Sequence, residues 1–181
     1  MHESLSAPPS GGSRERDARD AADGGEVRKI KIDAFCRDEE GRLNLYHEWL
    51  QKPFRFGKNV YASNGHLAVW RPVTRGDERY AITDKFRLKS VVDGHPGACA
   101  CNREWPTEKR YARQSWAGAW ASVHLFPGSK TEIGAVYRDR IARLADAAGH
   151  PVLFRPPRGP KQPVYFVCGE WLGALMPLRR P

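Results

Sequence analysis

Alternating apolar and polar positions predict β-strands in the first half of this chain. Residues 30–35 alternate strictly, which is typical of a half-buried strand. Three further extended runs are separated by short stretches of Gly, Asn and Ser, residues that favour tight turns. The second of these stretches contains Asn64-Gly65, a strong hairpin signal because both residues tolerate positive φ. We therefore expect antiparallel hairpins made from 54–56, 60–62 and 67–70.

The C-terminal part of the chain predicts a helix followed by three strands. Apolar residues recur with helical spacing between Thr131, a candidate N-terminal cap, and Ala148. Gly149 then supplies the C-terminal stop of this helix. The last two strands form a hairpin, and a Pro-rich loop precedes them. The three strands are expected at 152–154, 164–168 and 171–175.

Between and before these elements, the sequence predicts a short helix, a loop-rich insertion and an N-terminal tail. Residues 42–51 have apolar positions with helical spacing, and Pro53 would end that helix. Residues 73–130 lack a clear period, so we expect a loop-rich insertion with one strand near 122–126. Residues 1–27 contain almost no bulky apolar side chains, which predicts a disordered tail.

Together these elements predict an α+β fold for residues 28–181, with antiparallel sheets and two helices on one face. The 181 residues, 40% of them hydrophobic, suffice for one core and exclude global disorder. No apolar run approaches the roughly 20 residues of a transmembrane helix, and residues 1–23 lack the apolar region of a signal peptide. Four Cys are too few for a disulfide scaffold. We expect a cytoplasmic protein without membrane association.

The charge is distributed unevenly and suggests a polyanionic partner. Residues 1–27 carry three Arg against six acidic residues, a net charge of −3. Since the whole chain has a net charge of +9, the remaining residues carry +12. Nucleic acid is the leading candidate for the partner of so basic a domain. Solubility, or Arg-rich coding in a GC-rich genome, would give the same charge. Arg138, Arg140 and Arg143 on the C-terminal helix are the candidate DNA-binding residues, with a solvated helix face as an equal alternative.

Candidate catalytic and metal-binding motifs are weak. Cys99 and Cys101 lie close to His95 in sequence, but a structural zinc site usually has a second spaced pair of ligands, and none follows. None of the six His lies in a nucleophile elbow, a P-loop or a His-Glu-x-x-His motif. We therefore expect no metal, no cofactor and no catalytic residue. The alternative is an enzyme whose site lies within 73–130.

Two short segments resemble the sliding clamp, the β subunit of bacterial DNA polymerase III. Residues 60–68 are similar to the clamp's Ala-Thr-Asp-Gly-His-Arg-Leu-Ala hairpin, and residues 175–179 to its Met-Pro-Met-Arg C-terminus. The helix at 137–144 falls where the last clamp domain has its final helix. The similarity covers residues 54–70 and 133–180. A clamp protomer has three such domains and this chain has room for one, as in the short clamp-like proteins of phages and prophages.

The resemblance implies a non-enzymatic, clamp-like accessory protein of DNA replication or repair. In clamps the two segments line a groove that binds linear peptides from polymerases and clamp loaders. They meet there across a domain boundary, so a single-domain chain would rebuild the groove between protomers of a homo-oligomer or not at all. The implied partners are DNA and replication or clamp-loader proteins. A basic nucleic-acid-binding module without a groove is the alternative. The implied peptide-binding residues are Ser63, Gly65, His66, Leu67, Leu175, Met176, Pro177, Leu178 and Arg179.

Overall fold

A computed structural model describes residues 30–38, 41–44, 47–84, 86–104, 110–114, 120–125 and 131–178. The predicted tail at 1–27 and Arg179 lie outside these residues. The helices and strands are β1 (Phe54–Phe56), β2 (Asn59–Ser63), β3 (Leu67–Pro72), α1 (Lys89–Asp93), β4 (Arg103–Glu104), β5 (Arg110–Gln114), β6 (Trp120–Leu125), β7 (Glu132–Gly134), α2 (Ala135–Ala148), β8 (Leu153–Arg155), β9 (Val164–Cys168) and β10 (Trp171–Leu175).

Seven of the strands form one antiparallel sheet in the order β1-β2-β3-β10-β9-β8-β4. A second sheet has the order β5-β6-β7. The predicted β1-β2-β3 meander and β9-β10 hairpin are confirmed, because turn-forming residues in the sequence fix the positions at which these strands reverse. The two parts of the large sheet join where β3 pairs with β10, with Leu67 opposite Leu175.

The first face of the large sheet packs on α2. Side chains at alternate strand positions, including Val69, Phe166 and Leu175, meet Ile141 and Leu144 of that helix, and all five are fully buried. Gly173 is required at the centre of this face. A Cβ atom there would lie 2.1 Å from Cζ of Phe166, so the Phe166 ring occupies the space that any other side chain would need.

The second face carries an aromatic cluster covered by the segment 86–101. Tyr61 and Trp70 of the sheet pack with Leu88, and α1 adds apolar side chains beside it. The Phe86 ring stacks on that of Phe56 with centroids 4.4 Å apart. The α+β class is therefore confirmed, with α2 on the first face and the short α1 on the second.

Two of the predicted elements are wrong. Residues 30–35 were expected to form a strand, but Ile32–Cys36 is a 3₁₀ helix whose buried side chains, Ile32, Phe35 and Cys36, follow an i, i+3, i+4 spacing. Within the described part of 42–51, only Glu48–Leu50 is helical, again as a 3₁₀ turn. Asn44 explains the second difference, because its side-chain oxygen accepts the amide hydrogen of His47 and so competes with a helical backbone pattern.

The C-terminal helix ends as predicted but begins later. Gly149 stops it in the left-handed conformation at φ 64°. Thr131 was expected to cap its N-terminus, but the cap position is Gly134, and residues 132–134 form β7 instead. The Thr131 hydroxyl donates to the carbonyl oxygen of Gly159, 3.2 Å away, in the Pro-rich loop.

The segment 73–130 contributes to both sheets. Its expected strand near 122–126 corresponds to β6, and β5 was not predicted. The side chains of Tyr80, Leu88 and Cys101 are buried, and β4 pairs with β8 at the edge of the large sheet. None of the helices in the described ranges is long and apolar enough to cross a membrane.

Candidate functional site

The turn between β2 and β3 is built around the side chain of Asn64. Its Oδ1 atom accepts the amide hydrogens of His66 and Leu67, at 3.0 and 2.9 Å, and its Nδ2 atom donates to the carbonyl oxygen of Arg37 at 2.8 Å. Gly65 has φ 95°, a conformation that side-chain-bearing residues rarely adopt. The exposed pair Gly65-His66 therefore forms the tip of the turn, while Asn64 itself is buried.

The C-terminal segment after β10 lies directly beside this turn. The amide of Met176 donates to the carbonyl oxygen of His66, with 2.7 Å between the two atoms. Two residues later the amide of Leu178 donates to the carbonyl oxygen of Glu132 in β7, at 2.8 Å. The two segments that resemble the sliding clamp are thus adjacent within one domain. The β3–β10 pairing supplies this adjacency without a second protomer.

We call the surface at this junction the turn–terminus surface and define it by His66, Tyr137, Met176, Pro177 and Leu178. The imidazole ring of exposed His66 stacks on the ring of Tyr137 in α2, with centroids 5.7 Å apart and planes 26° from parallel. Met176 is 38% exposed. Pro177 and Leu178 are half-buried. The surface therefore offers the His66 ring, a thioether and two aliphatic side chains to solvent, and the buried Tyr137 ring packs against the imidazole.

Three of the nine predicted peptide-binding residues are buried and do not belong to that surface. Leu67 and Leu175 are 0% exposed and face α2 in the core, so they support the surface from below. Ser63 is also buried, and its hydroxyl oxygen accepts the amide hydrogen of Gly65 at 3.1 Å. The structure places Gly65, His66, Met176, Pro177 and Leu178 together at the surface.

The three predicted DNA-binding arginines of α2 do not form one patch. The guanidinium of Arg140 donates to the carbonyl oxygens of Arg37 and Asp38, which ties α2 to the 3₁₀ segment near residue 36. Arg138 lies beside Asp139, and its buried Nε atom has no hydrogen-bond partner within the described ranges. Arg143 is exposed. Within the described ranges no hydrogen bond or ion pair of the Arg143 side chain is present, and it is the most exposed of the three.

The candidate metal ligands His95, Cys99 and Cys101 lie in the segment that covers the second face of the large sheet. Nε2–H of His95 donates to the carbonyl oxygen of Phe166 at 3.2 Å, and its Nδ1 accepts the amide hydrogen of Gly97 at 3.1 Å. Burial lowers the pKa of His95, which favours this neutral form. Cys101 is buried and Cys99 is exposed. In the part of the chain that the structure describes, no three His, Cys, Asp or Glu side chains form a group able to hold a metal ion.

Two contributors to the turn–terminus surface were not assigned to the site from the sequence. Tyr137 was interpreted only as part of the apolar face of the helix, and Glu132 contributes through its backbone oxygen. Tyr137 is buried on the apolar face of α2 and reaches the site only by stacking on His66, which no local sequence pattern marks. No sequence signal marks a backbone acceptor.

Comparison with protein-family models, with curated proteins and with solved structures finds no match for this chain.

Proposed function

We propose that this chain is a non-enzymatic, clamp-like accessory protein of DNA replication or repair that captures a short linear peptide on the turn–terminus surface. The observation behind this proposal is the hydrogen bond from Met176 to His66. This bond joins the two sequence segments that resemble the sliding clamp. The residues that carry the resemblance therefore belong to one continuous surface.

The chemistry of the surface suits a peptide with one or two hydrophobic anchors. Met176 presents a flexible, polarizable side chain that adapts to differently shaped partners. The exposed ring of His66, supported by the buried ring of Tyr137, provides a flat contact area with polar edges. Peptide-binding surfaces typically depend on a few such side chains surrounded by weaker contacts. By resemblance, the peptides are the tails of polymerases and clamp-loader proteins.

Replacing both Met176 and Leu178 by Ala tests this function. The double variant should weaken binding of a fluorescently labelled clamp-loader or polymerase tail peptide by about 1–3 kcal/mol, measured by anisotropy. Its melting temperature should stay close to that of the wild type, because Met176 is exposed and the backbone hydrogen bonds of both residues are retained.

A matched control is Ile82→Ala, which removes a 74% exposed apolar side chain on the far edge of the large sheet. This control should bind the peptide as the wild type does. If the wild type binds no such peptide, or if the control loses binding equally, peptide capture on this surface is rejected.

Nucleic-acid binding is a second candidate function, favoured by the net +12 of residues 28–181. Exposed Arg143 is the α2 residue available for it. Affinity for duplex DNA should then fall steeply between about 50 and 200 mM salt, and R143E should weaken binding to all sequences alike. Affinity that does not change with salt contradicts this function.

A further inference from the structure

A cleft of about 280 Å³ lies where the chain leaves β8 and returns in β9. Its apolar side is formed by three prolines of the connecting loop, Pro156, Pro157 and Pro163. Proline rings are rigid and present flat apolar surfaces, and a pocket of this size approaches the lower end of the range for small-molecule sites. The cleft can therefore hold one ring-sized group without rearrangement of its apolar side.

The polar side of the cleft carries two arginines. Arg155 is half-buried at the end of β8 and Arg158 is exposed in the loop. Neither forms an ion pair with a carboxylate among the residues described, unlike Arg71, whose guanidinium pairs with Asp77. Two positive charges facing one concave space attract an anion, and the planar guanidinium group matches phosphate oxygens in pairs.

The loop that carries these groups is held in place by its own hydrogen bonds. The amide of Arg158 donates to Oε1 of Gln162 at 3.1 Å, and the amide of Gln162 donates to the carbonyl oxygen of Gly159 at 3.1 Å. The Thr131 hydroxyl anchors the same carbonyl to the start of β7. A ligand therefore meets an ordered loop and does not incur the entropy cost of ordering it.

Tyr165 places a hydroxyl group in the cleft because Gly94 leaves room for it. A Cβ atom on Gly94 would lie 2.5 Å from the Tyr165 hydroxyl oxygen. The backbone of Gly94, at φ −74° and ψ −11°, is one that alanine adopts freely. The glycine is thus explained by lack of space, chiefly from the Tyr165 hydroxyl and also from the Ser90 carbonyl oxygen at 3.1 Å, rather than by backbone conformation.

We propose that this cleft binds a nucleotide, with the phosphate between Arg155 and Arg158 and the base against the proline rings. The Tyr165 hydroxyl and the side-chain Nε2 group of Gln162 are the polar groups of the lining that remain for the sugar or base. The cleft holds one ring-sized group, the base, and the sugar and phosphate lie along its open, polar side. The same chemistry describes a free mononucleotide and one nucleotide of a single strand. This inference does not depend on peptide capture at the turn–terminus surface.

The test is calorimetric titration of the full chain with AMP and dTMP, and separately with inorganic phosphate, adenosine and thymidine. The mononucleotides should bind more tightly than phosphate alone or the nucleosides alone, because only they engage both sides of the cleft. A short oligothymidylate that competes with dTMP identifies a nucleotide within a strand as the ligand, and one that does not compete identifies the free nucleotide. Either result supports the cleft as a nucleotide site.

The double variant R155Q/R158Q should lower mononucleotide affinity about tenfold or more. The matched control K58Q/R75Q removes two charges at exposed positions in the β1–β3 region, at the opposite side of the large sheet, and should change affinity less than about twofold. Circular dichroism melts confirm that each variant is folded.

A second set of variants tests the role of Tyr165. G94A should weaken binding several-fold, since the new methyl group displaces the hydroxyl, and G94A/Y165F should return to the affinity of Y165F alone. The proposal is overturned if the wild type binds no mononucleotide at low salt, if nucleosides or phosphate bind as tightly, or if both charge variants lose affinity equally.

Discussion

Removing the side chain of Asn64 should destabilise the whole domain and not only the turn. In Asn64→Ala three hydrogen bonds disappear, two to the amides of His66 and Leu67 and one to the carbonyl oxygen of Arg37. At a net value of about 1 kcal/mol each, their loss lowers the free energy of unfolding by about 3 kcal/mol. For a domain of this size, that corresponds to a melting temperature lower by roughly 6–12 °C.

Equilibrium urea unfolding and a thermal melt measure this effect, and two further variants define its origin. Asn64→Asp keeps the acceptor for both amides but places a buried carboxylate oxygen against the Arg37 carbonyl oxygen. It should therefore cost more than one hydrogen bond, about 1 kcal/mol, at neutral pH and less once the carboxyl group is protonated. Asn59→Ala is the matched control, because the Asn59 side chain makes one long contact, 3.3 Å to the Tyr61 hydroxyl. Its cost should stay below about 1 kcal/mol. Equal destabilisation by N64A and N59A would refute the account of the turn.

Two further predictions concern titratable groups. Burial alone would raise the pKa of Asp77. Hydrogen bonds from Arg71 and Thr74 outweigh this effect and hold the pKa below its ordinary value. The stabilisation is therefore complete above about pH 4 and is lost as the pH falls through the lowered pKa. D77N should lower the free energy of unfolding by about 3 kcal/mol at neutral pH and flatten the acid unfolding profile. The control D93N, at an exposed ion pair, should lower it by less than about 0.5 kcal/mol. An acid unfolding profile of D77N that matches the wild type contradicts the assignment to Asp77. Burial raises the pKa of Cys36 to about 12, and Cys101 and Cys168 are buried as well. In a native thiol titration, exposed Cys99 alone should therefore react rapidly, and any fast-reacting thiol in C99S contradicts this.

Local sequence signals predicted those elements whose boundaries are set by nearby residues. The β9–β10 hairpin and the helix stop at Gly149 depend on turn and cap chemistry within a few positions, and both are confirmed. The segment 30–35 was predicted wrongly because three of its apolar side chains are buried together at the helical spacing, and tertiary packing overrode the alternation. The helix at 42–51 fails because the Asn44 side chain competes for a backbone amide.

The sequence selected the segments of the candidate surface but did not predict how the fold brings them together. The segments around His66 and Met176 were selected by resemblance, but their adjacency arises from the β3–β10 pairing, which joins strands far apart in sequence. Such a pairing depends on the packing of the whole sheet, so no local sequence pattern predicts it. The cleft near Arg155 was predicted only as a Pro-rich loop, because its lining comes from β8, β9, their connecting loop and Gly94, which the fold alone brings together.

The position of the turn–terminus surface over the central strand pair determines how substitutions there act. Leu67 and Leu175 form the β3–β10 pair beneath it and are fully buried, so the surface cannot open unless the core opens with it. Under the proposed function, a peptide would meet a preformed surface and would not have to order it. Truncating Leu67 or Leu175 must act on folding, at a cost of about 2–5 kcal/mol. Truncating exposed Met176 should instead act on peptide binding. Because neighbouring residues affect different measurements, a loss of binding can be assigned to the surface itself.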